Sequence, residues 1–288
     1  MSPAGLQPPL EAFARVVGWA LDEDLGGRGD PTSRLVGDTP AAAVLVAREP
    51  GVIAGLPALP IVCDQVAERL GSGTVAAHRP VQDGDHVQRG TVVGELRGSP
   101  RTMLAAERTL LNLVGRLSGV ATLTAAFVAA IAGTGAVIRD TRKTTPGLRE
   151  LEKYAVRCGG GTNHRMGLFD ALLVKDNHIQ AAGSLAAAVA AARRAAPDLP
   201  LEVEVETLQE LQAAFDIGCD LVLLDNMPAA AMAEATRRAR GRARLEASGG
   251  VTLATVRQVA ATGVDYIAVG ALTHAASSLD LALDWPTG

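Results

Sequence analysis

The residues most able to do chemistry begin at "RDTRKTTPG", positions 139–147. An apolar run, Ala136-Val137-Ile138, ends there in Arg139, Asp140, Arg142 and Lys143, followed by two threonines and a Pro-Gly turn. Residues 139–175 hold eight Lys/Arg against four Asp/Glu, net +4, in a chain of net charge −4, so the remaining residues sum to −8. A local cationic zone in an acidic protein points to a small anionic ligand, with a solvated charged face as the alternative. Lysine placement favours the ligand. The chain has three lysines, Lys143, Lys153 and Lys175, all inside this window, beside 24 arginines. Lysine is a compact point charge with a tunable pKa, and the rest of the sequence uses arginine wherever either would serve. Lys143 and Lys175 therefore read as functional, and Lys153 as an ion-pair partner of Glu150 or Glu152.

The complementary charge lies in "LEVEVE". Glu202, Glu204 and Glu206 share one face by the two-residue strand period, and Val203 and Val205 share the other. If the valines pack under helices, the glutamates point inward, where a carboxylate costs several kcal/mol (~2–7) unless it is paired or metal-bound. Asp225 ends the next apolar run, "LVLLDN". Two such carboxylates can converge on one cation or on ribose hydroxyls, and oxygen ligands without a nearby His/Cys cluster favour Mg²⁺ over zinc. "EASGG" (Ser248, Gly249, Gly250) and "VGAL" (Gly270) read as phosphate cradles, because glycine lets backbone N–H groups approach an anion. "CGGGTNHR" lacks the Gly-Lys-Ser/Thr of a Walker loop and reads as a loop presenting His164 and Arg165 to an anion. His78, His86, His178 and His274 read as structural or surface residues.

These residues must be positioned by a repeated element. From residue 137 onward, short apolar strands ("AVIRD", "ALLVKD", "LEVEVE", "LVLLDN", "RLEASGG", "YIAVGAL") alternate with Ala-rich helices. That rhythm matches βα units with parallel strands. The fold class is α/β: a short (β/α) barrel of six or seven parallel strands, with an open doubly wound sheet as runner-up. In such barrels the site lies at the C-terminal strand ends, where all the residues above fall. The preceding residues predict an α/β N-terminal domain: a helix at "LEAFARVVGWALDEDL", strand–turn–strand at "AAAVLVAREPGVIAGL", short strands in "HRPVQDGDHVQRGTVVGELRG", and a helix over 101–131. The β-rich piece is like lipoyl-carrier modules, but no lysine precedes Lys143, which excludes a swinging arm. Domains are expected at 1–112 and 113–275. "SSLDLALDW" is expected as an edge strand, with 276–288 packing back on the first domain.

Composition sets the outer bounds. The chain has 288 residues and is 48% hydrophobic but 3% aromatic, so the core must be aliphatic. Three widely spaced cysteines argue against a disulfide framework and for a reducing cytoplasm. "MSPAGLQPPLEAF" lacks a signal-peptide pattern, and no uninterrupted apolar run suggests a membrane span. The acidic balance speaks against nucleic acid as the main partner.

The long motif "RDTRKTTPGLRELEKYAVRCGGGTNHRMGLFDALLVKDNHI", followed in order by "EVEVE", "LLDN", "EASGG" and "VGAL", resembles the quinolinate phosphoribosyltransferase family over essentially the whole chain. The resemblance implies transfer of phosphoribosyl from phosphoribosyl pyrophosphate to quinolinate with decarboxylation, giving nicotinate mononucleotide, pyrophosphate and CO₂. It further implies a Mg²⁺ cofactor and a homodimer with shared active sites. Arg142, His164, Arg165 and Lys175 match the family's quinolinate ligands, and Arg108 the arginine contributed by the partner subunit. Thr141, Lys143, Glu204, Asp225, Ser248, Gly249, Gly250, Val269 and Gly270 match the phosphoribosyl pyrophosphate site, with Glu204 and Asp225 at the ribose and its Mg²⁺. Lys143, Lys175, Glu204 and Asp225 are the implied catalytic set. The family's usual "SGN" is "SGG" here, and glycine keeps the backbone donors.

The implied chemistry accounts for the charge pattern, since two polyanions that repel each other need a cationic site to hold them together. Three other readings stay open on the residues alone: a related pyrophosphorylase acting on another acceptor, a Schiff-base aldolase-type barrel using Lys175, and a phosphosugar-binding sensor.

Overall fold

The computed structural model describes residues 6–285. The leader reading at residues 1–5 and the last three residues of the 276–288 tail lie outside them. The chain forms two compact units, each made of discontinuous segments. The first holds the described residues up to Ala125, Thr144–Gly160 and those from Ala275; the second holds Ala126–Lys143 and Gly161–His274.

The first unit opens with α1 (Leu10–Leu25), whose Phe13, Val16, Val17 and Leu21 recur at helical spacing and are buried. The expected strand–turn–strand is β1 (Ala41–Ala47) and β2 (Gly51–Val52). Next comes α2 (Ala58–Leu70), a helix the sequence reading did not identify. Its Gln65 and Arg69 side chains donate to the Ala14 and Gly18 carbonyls of α1. β3 (Val75–His78), β4 (His86–Val87) and β5 (Val92–Gly98) follow; β4 pairs with β2, while β5 lies between β1 and β3, antiparallel to both. Helix α3 (Pro100–Ala130) is long and apolar enough by composition to cross a bilayer, but over half of that apolar window, 56%, is buried in the protein. Met103, Ala106, Leu110, Val114, Leu117 and Ala121 form its buried stripe, so it is a core helix.

Strand β6 (Val137–Arg139) begins the second unit, and the chain then returns to the first as α4 (Arg149–Cys158). α4 is held by buried Glu152, whose carboxylate accepts from Arg116 Nη2 at 2.7 Å and from Thr145 N at 2.9 Å, and by the Tyr154 hydroxyl, which donates to Asp83 at 2.7 Å. Lys153, read as the partner of a neighbouring glutamate, is wholly buried; Glu150 pairs with Arg15 and Glu152 with Arg116.

The second unit continues as β7 (Leu172–Val174), α5 (Asp176–Ala182), α6 (Leu185–Ala195), β8 (Leu201–Val205), α7 (Leu208–Asp216), β9 (Leu221–Asp225), α8 (Ala229–Ala239), β10 (Arg244–Ser248), α9 (Val256–Ala260), β11 (Tyr266–Ala268) and α10 (Ala271–His274). Each strand falls inside one of the six runs read from the sequence. Local signals set the junctions: Thr207 and Glu210 form a reciprocal capping box at the start of α7, and Ser184 caps α6. All six strands are parallel, in the order β7-β8-β9-β10-β11-β6. A doubly wound sheet reverses its strand order at a switch point. Here the order runs on without reversal and places the first strand beside the last, as a barrel requires. The seam between β6 and β7 carries a single parallel bridge, Arg139 to Thr162.

The final strand β12 (Leu281–Asp284) pairs antiparallel with β1 at the edge of the first unit's sheet. The expected domain limit at 112/113 is corrected in two respects. It falls inside α3, which runs on without a helix breaker, and residues 144–160 join the first unit because their buried polar groups find partners there. The returning tail crosses α3 at two glycines. Leu279 N donates to Gly115 O at 2.9 Å, and a Cβ on Gly119 would collide with the backbone carbonyl of Ser277. Gly119→Ala gains about 1 kcal/mol of helix propensity, but the clash is with backbone that cannot rotate away, at a cost of about 1–3 kcal/mol or more. The variant is expected to unfold at lower denaturant than wild type in equilibrium titrations; equal or greater stability would show that the tail does not depend on this crossing.

Candidate active site

Alternation along the strands sorts the barrel's residues. Leu173, Glu204, Leu223, Asp225, Glu246, Ser248 and Ala268 line one cavity of about 790 Å³, while the intervening Val203, Val222, Leu245, Ala247 and Ile267 are buried away from it. Thirteen of the fourteen residues read as site residues line that cavity: Thr141, Arg142, Lys143, His164, Arg165, Lys175, Glu204, Asp225, Ser248, Gly249, Gly250, Val269 and Gly270. The fourteenth, Arg108, is an exposed residue of α3 in the first unit and is not in the lining.

The cationic residues follow β6 and β7. The Thr273 hydroxyl donates to Lys143 O at 2.6 Å, and the Lys143 N–H donates to Thr141 Oγ1. Gly270 has no room for a side chain, since a Cβ would sit 3.0 Å from Lys143 Cδ and 3.3 Å from His274 Cε1. Lys175 caps α5, its N–H donating to His178 Nδ1, and its Nζ lies 2.6 Å from Glu204 Oε2. Arg165 donates to the Ala171 carbonyl at 3.0 Å. Burial, then the nearby positive charge of Arg142, pulls its pKa below the usual guanidinium range, so two like charges are held close together.

The carboxylates follow β8 and β9. Asn226, in the left-handed region at φ 54°, turns its amide to donate to Asp225 Oδ2 at 2.8 Å. Its side chain fills the space where a Cβ on Gly249 would go, and Gly249 is itself at φ 98°. Glu206, read as an inward strand residue, lies past the end of β8; it is exposed and its N–H donates to Glu210. Strand pairing ends at Val205, so the alternation that aims Glu204 inward no longer applies to Glu206. Asp176, read as a strand end, is the exposed first residue of α5.

Sequence reasoning missed the floor beneath these walls. Arg139 Nη1 donates to Glu246 Oε2 at 2.6 Å, and the Arg139 guanidinium lies 3.5 Å from the Tyr266 ring centroid. His164 Nε2 lies 2.8 Å from Glu202 Oε2 and 3.7 Å from Glu246 Oε1. Asn226, Thr252 and His274, the last set aside as structural or surface, also line the cavity. Glu246 was legible in principle, since it stands two residues before Ser248 on the same strand face.

Two groups of donors invite a metal. His164, Glu202 and Glu246 bring ligand atoms within 4.8 Å of one another. This set does not fit, because His164 Nδ1 accepts the Arg165 N–H at 2.7 Å, which leaves the ring proton on Nε2 where a metal would need a lone pair. Glu204 and Asp225 offer only carboxylate oxygens at the cavity wall, a donor set suited to Mg²⁺.

Family models for the quinolinate phosphoribosyl transferase N-terminal and C-terminal domains match residues 30–118 and 120–284. The chain is 48% identical over 272 residues to a Mycobacterium leprae protein named nicotinate-nucleotide pyrophosphorylase [carboxylating], covering 92% of this chain and 94% of that one. It is 42% identical to a Bacillus subtilis protein named as a probable enzyme of that type, covering 91% and 89%. A solved structure of the nicotinate-nucleotide pyrophosphorylase from Francisella tularensis superposes with a TM-score of 0.91 at 38% identity, covering 97% and 98%. This chain belongs to the quinolinate phosphoribosyltransferase family.

In this member of the quinolinate phosphoribosyltransferase family the barrel floor is also where protonation is most perturbed. Burial, then the charge of Glu202, raises the Glu246 carboxyl to about 7, with Arg139 and His164 opposing the rise. A carboxyl raised on folding holds its proton more tightly in the native state than in the unfolded chain. Its contribution to stability is present at acid pH and is lost as pH rises through about 7. Denaturant titrations of wild type and Glu246→Gln at about pH 5 and about pH 8 should show wild type weakening relative to the variant, on the order of 3 kcal/mol for the full shift. A gap that does not change with pH would contradict the burial of an ionisable Glu246.

Proposed function

We propose that this chain transfers the phosphoribosyl group of phosphoribosyl pyrophosphate to quinolinate and releases pyrophosphate, CO₂ and nicotinate mononucleotide. The observation that carries the reading is the opposition of charge in one cavity. Arg142, Lys143, Arg165 and Lys175 line it together with Glu204 and Asp225. Family membership and the names of the relatives point to the same reaction.

The acceptor is a planar dicarboxylate, and arginine forks suit it. Arg142 and Arg165 take its carboxylates, with Lys175 beside them. Before binding, the guanidinium pair repels itself, and a dianion relieves that repulsion. Lys143 stands on the donor side, beside Gly270, and takes the departing pyrophosphate. Gly249, Gly250 and Gly270 allow backbone donors close to the 5′-phosphate, aided by Ser248, Thr141 and Val269. Glu204 and Asp225 would hold Mg²⁺ directly or through ribose hydroxyls, where it would supply positive charge to the leaving group. The same two carboxylates stabilise the positive charge that develops at ribose C1 as the leaving group departs. The pyridine nitrogen then attacks that carbon. The resulting cationic ring accepts the electron pair left when the C2 carboxylate departs as CO₂.

The ion pair of Lys175 with Glu204 has a role in this sequence. With each group neutralising the other, Glu204 is unavailable to C1. An acceptor carboxylate that draws Lys175 away frees the glutamate for the ribose. A Schiff-base role for Lys175 is disfavoured by this pair, because the carboxylate at 2.6 Å favours the charged ammonium over the neutral amine a nucleophile needs. We also propose that a homodimer completes the site with Arg108 from a second copy, following the family resemblance. Three buried free cysteines support the cytoplasmic reading.

Incubation with quinolinate, phosphoribosyl pyrophosphate and Mg²⁺ should yield nicotinate mononucleotide and CO₂, and chelation of the metal should stop turnover. Nicotinate in place of quinolinate should not be used. Arg142→Ala or Lys175→Ala should raise the quinolinate KM by about ten-fold or more, the worth of a charge-assisted hydrogen bond. Full activity in both variants would refute the acceptor assignment. Mixing inactive Arg108→Ala and Lys175→Ala proteins should restore part of the activity if sites are shared, and none if each chain works alone.

A further inference from the structure

The His164 ring is fixed by two bonds of opposite sense. The Arg165 backbone N–H lies 2.7 Å from Nδ1. A backbone N–H can only donate, so Nδ1 carries a lone pair and the ring proton sits on Nε2, which donates to Glu202 Oε2 at 2.8 Å. A doubly protonated ring would set N–H against N–H at that same 2.7 Å. The charged groups around the ring are Glu202 from β8, Glu246 from β10, Asp140 and Arg139 from β6, and Arg165 beside it.

The ring is part of a clamp on the segment that carries Arg165. The buried carboxylate of Asp140 accepts from the His164 N–H at 2.9 Å and from the Asn163 amide at 2.6 Å. Glu202 accepts from the ring itself, and its charge helps keep Arg165 protonated against burial and Arg142. Glu202 and Glu246 are buried, at 3% and 0% exposure, too deep to be solvated surface carboxylates.

We propose that Glu202, backed by Glu246, is a positioning residue for the acceptor half of the site. It holds His164 as the neutral Nε2–H tautomer, so that the ring is a strut fixing Arg165 beside Arg142 and brings no charge of its own to the acceptor. The inference rests on the quinolinate reading above and changes the part played by His164 within it. The acceptor's negative charge is met by guanidinium and ammonium groups, while the imidazole sets their geometry. Adding a proton to Nδ1 would release the Arg165 N–H and slacken the clamp.

Two measurements test this. In the ¹⁵N-labelled full chain without substrates, with the His164 signals assigned by their loss in His164→Gln, Nδ1 should resonate as an unprotonated nitrogen and Nε2 as a protonated one, from about pH 6 to about pH 8. Imidazolium signals at neutral pH would overturn the proposal. In steady-state kinetics, Glu202→Leu should raise the quinolinate KM by about ten-fold or more, with kcat and the phosphoribosyl pyrophosphate KM changed by less than about three-fold. Glu202→Gln, whose amide oxygen can still accept the Nε2–H, should recover most of that loss, and it serves if the leucine variant fails to fold. An unchanged acceptor KM in Glu202→Leu, or a glutamine variant as impaired as the leucine one, would overturn the positioning role. Wild type that does not use quinolinate would overturn the acceptor assignment instead, and the ¹⁵N spectra would still decide the tautomer because they need no substrate.

Discussion

Charge taken into the barrel has to be balanced inside it. Each ion removed from water loses solvation worth several kcal/mol, on the order of the attraction it can regain from a well-placed partner. The floor meets this constraint with a short Arg139–Glu246 pair at 2.6 Å, a Tyr266 ring against the guanidinium, and a carboxyl raised to about 7 so that it need not be ionised beside Glu202. The walls meet it differently. Lys175 and Glu204 neutralise each other across 2.6 Å, whereas Arg142 and Arg165 stand close as like charges. The imbalance is therefore concentrated at one place, and a small polyanion corrects it. Function follows from where the molecule leaves its charge uncompensated.

Strand register distributes these roles. Glu204 is level with Leu223, Leu223 with Glu246, and Glu246 with Tyr266, so one inward row passes from wall to floor as it crosses the sheet. The next inward row links Asp225 to Ser248 and ends at the cradle. A shift of one residue in any strand would turn these side chains into the helical layer. The apolar alternates Val203, Val222, Leu245 and Ile267, all buried, hold the register, and so the residues that do no chemistry aim the ones that do.

What could be read from the sequence follows the same physics. Strands showed as apolar runs ending in charge, and the "LEVEVE" alternation exposed Glu202 and Glu204 because three carboxylates in a strand have no bland explanation. Glu246 sits alone in "RLEASGG", and a single carboxylate in a strand carries no such signal. Arg139 read as one of a cluster of cations, yet its guanidinium turns down to the floor while Arg142 lines the cavity. Only coordinates separate two arginines three residues apart. The domain limit was misplaced because α3 has no sequence break where the β-rich segment ends. The return of residues 144–160 was invisible because it depends on long-range partners: Glu152 with Arg116 and Tyr154 with Asp83. His164 was correctly placed and read for the wrong property, since residue type cannot reveal that its neighbour's N–H occupies Nδ1.

The interruption between β6 and β7 explains how the cationic wall is built. The chain leaves the second unit after Lys143 and re-enters at Gly161, so the segments bearing Arg142–Lys143 and His164–Arg165 are the two ends of one excursion. A 17-residue departure (144–160) would cost loop entropy and leave both ends loose if nothing held them. Bonds within the barrel hold both. Thr162 N donates to Ile138 O at 2.9 Å and Asp140 N to Thr162 O at 3.2 Å, pinning the re-entry against β6. Thr273 pins the exit at Lys143 O. The β6–β7 seam is bridged at Thr162 in place of a continuous ladder. Loop backbone at that seam can present guanidinium and imidazole groups at angles a regular strand pair would not allow. A continuous β6–β7 ladder would seal the barrel, but it would remove the opening through which the excursion returns and with it the segment that carries Arg165.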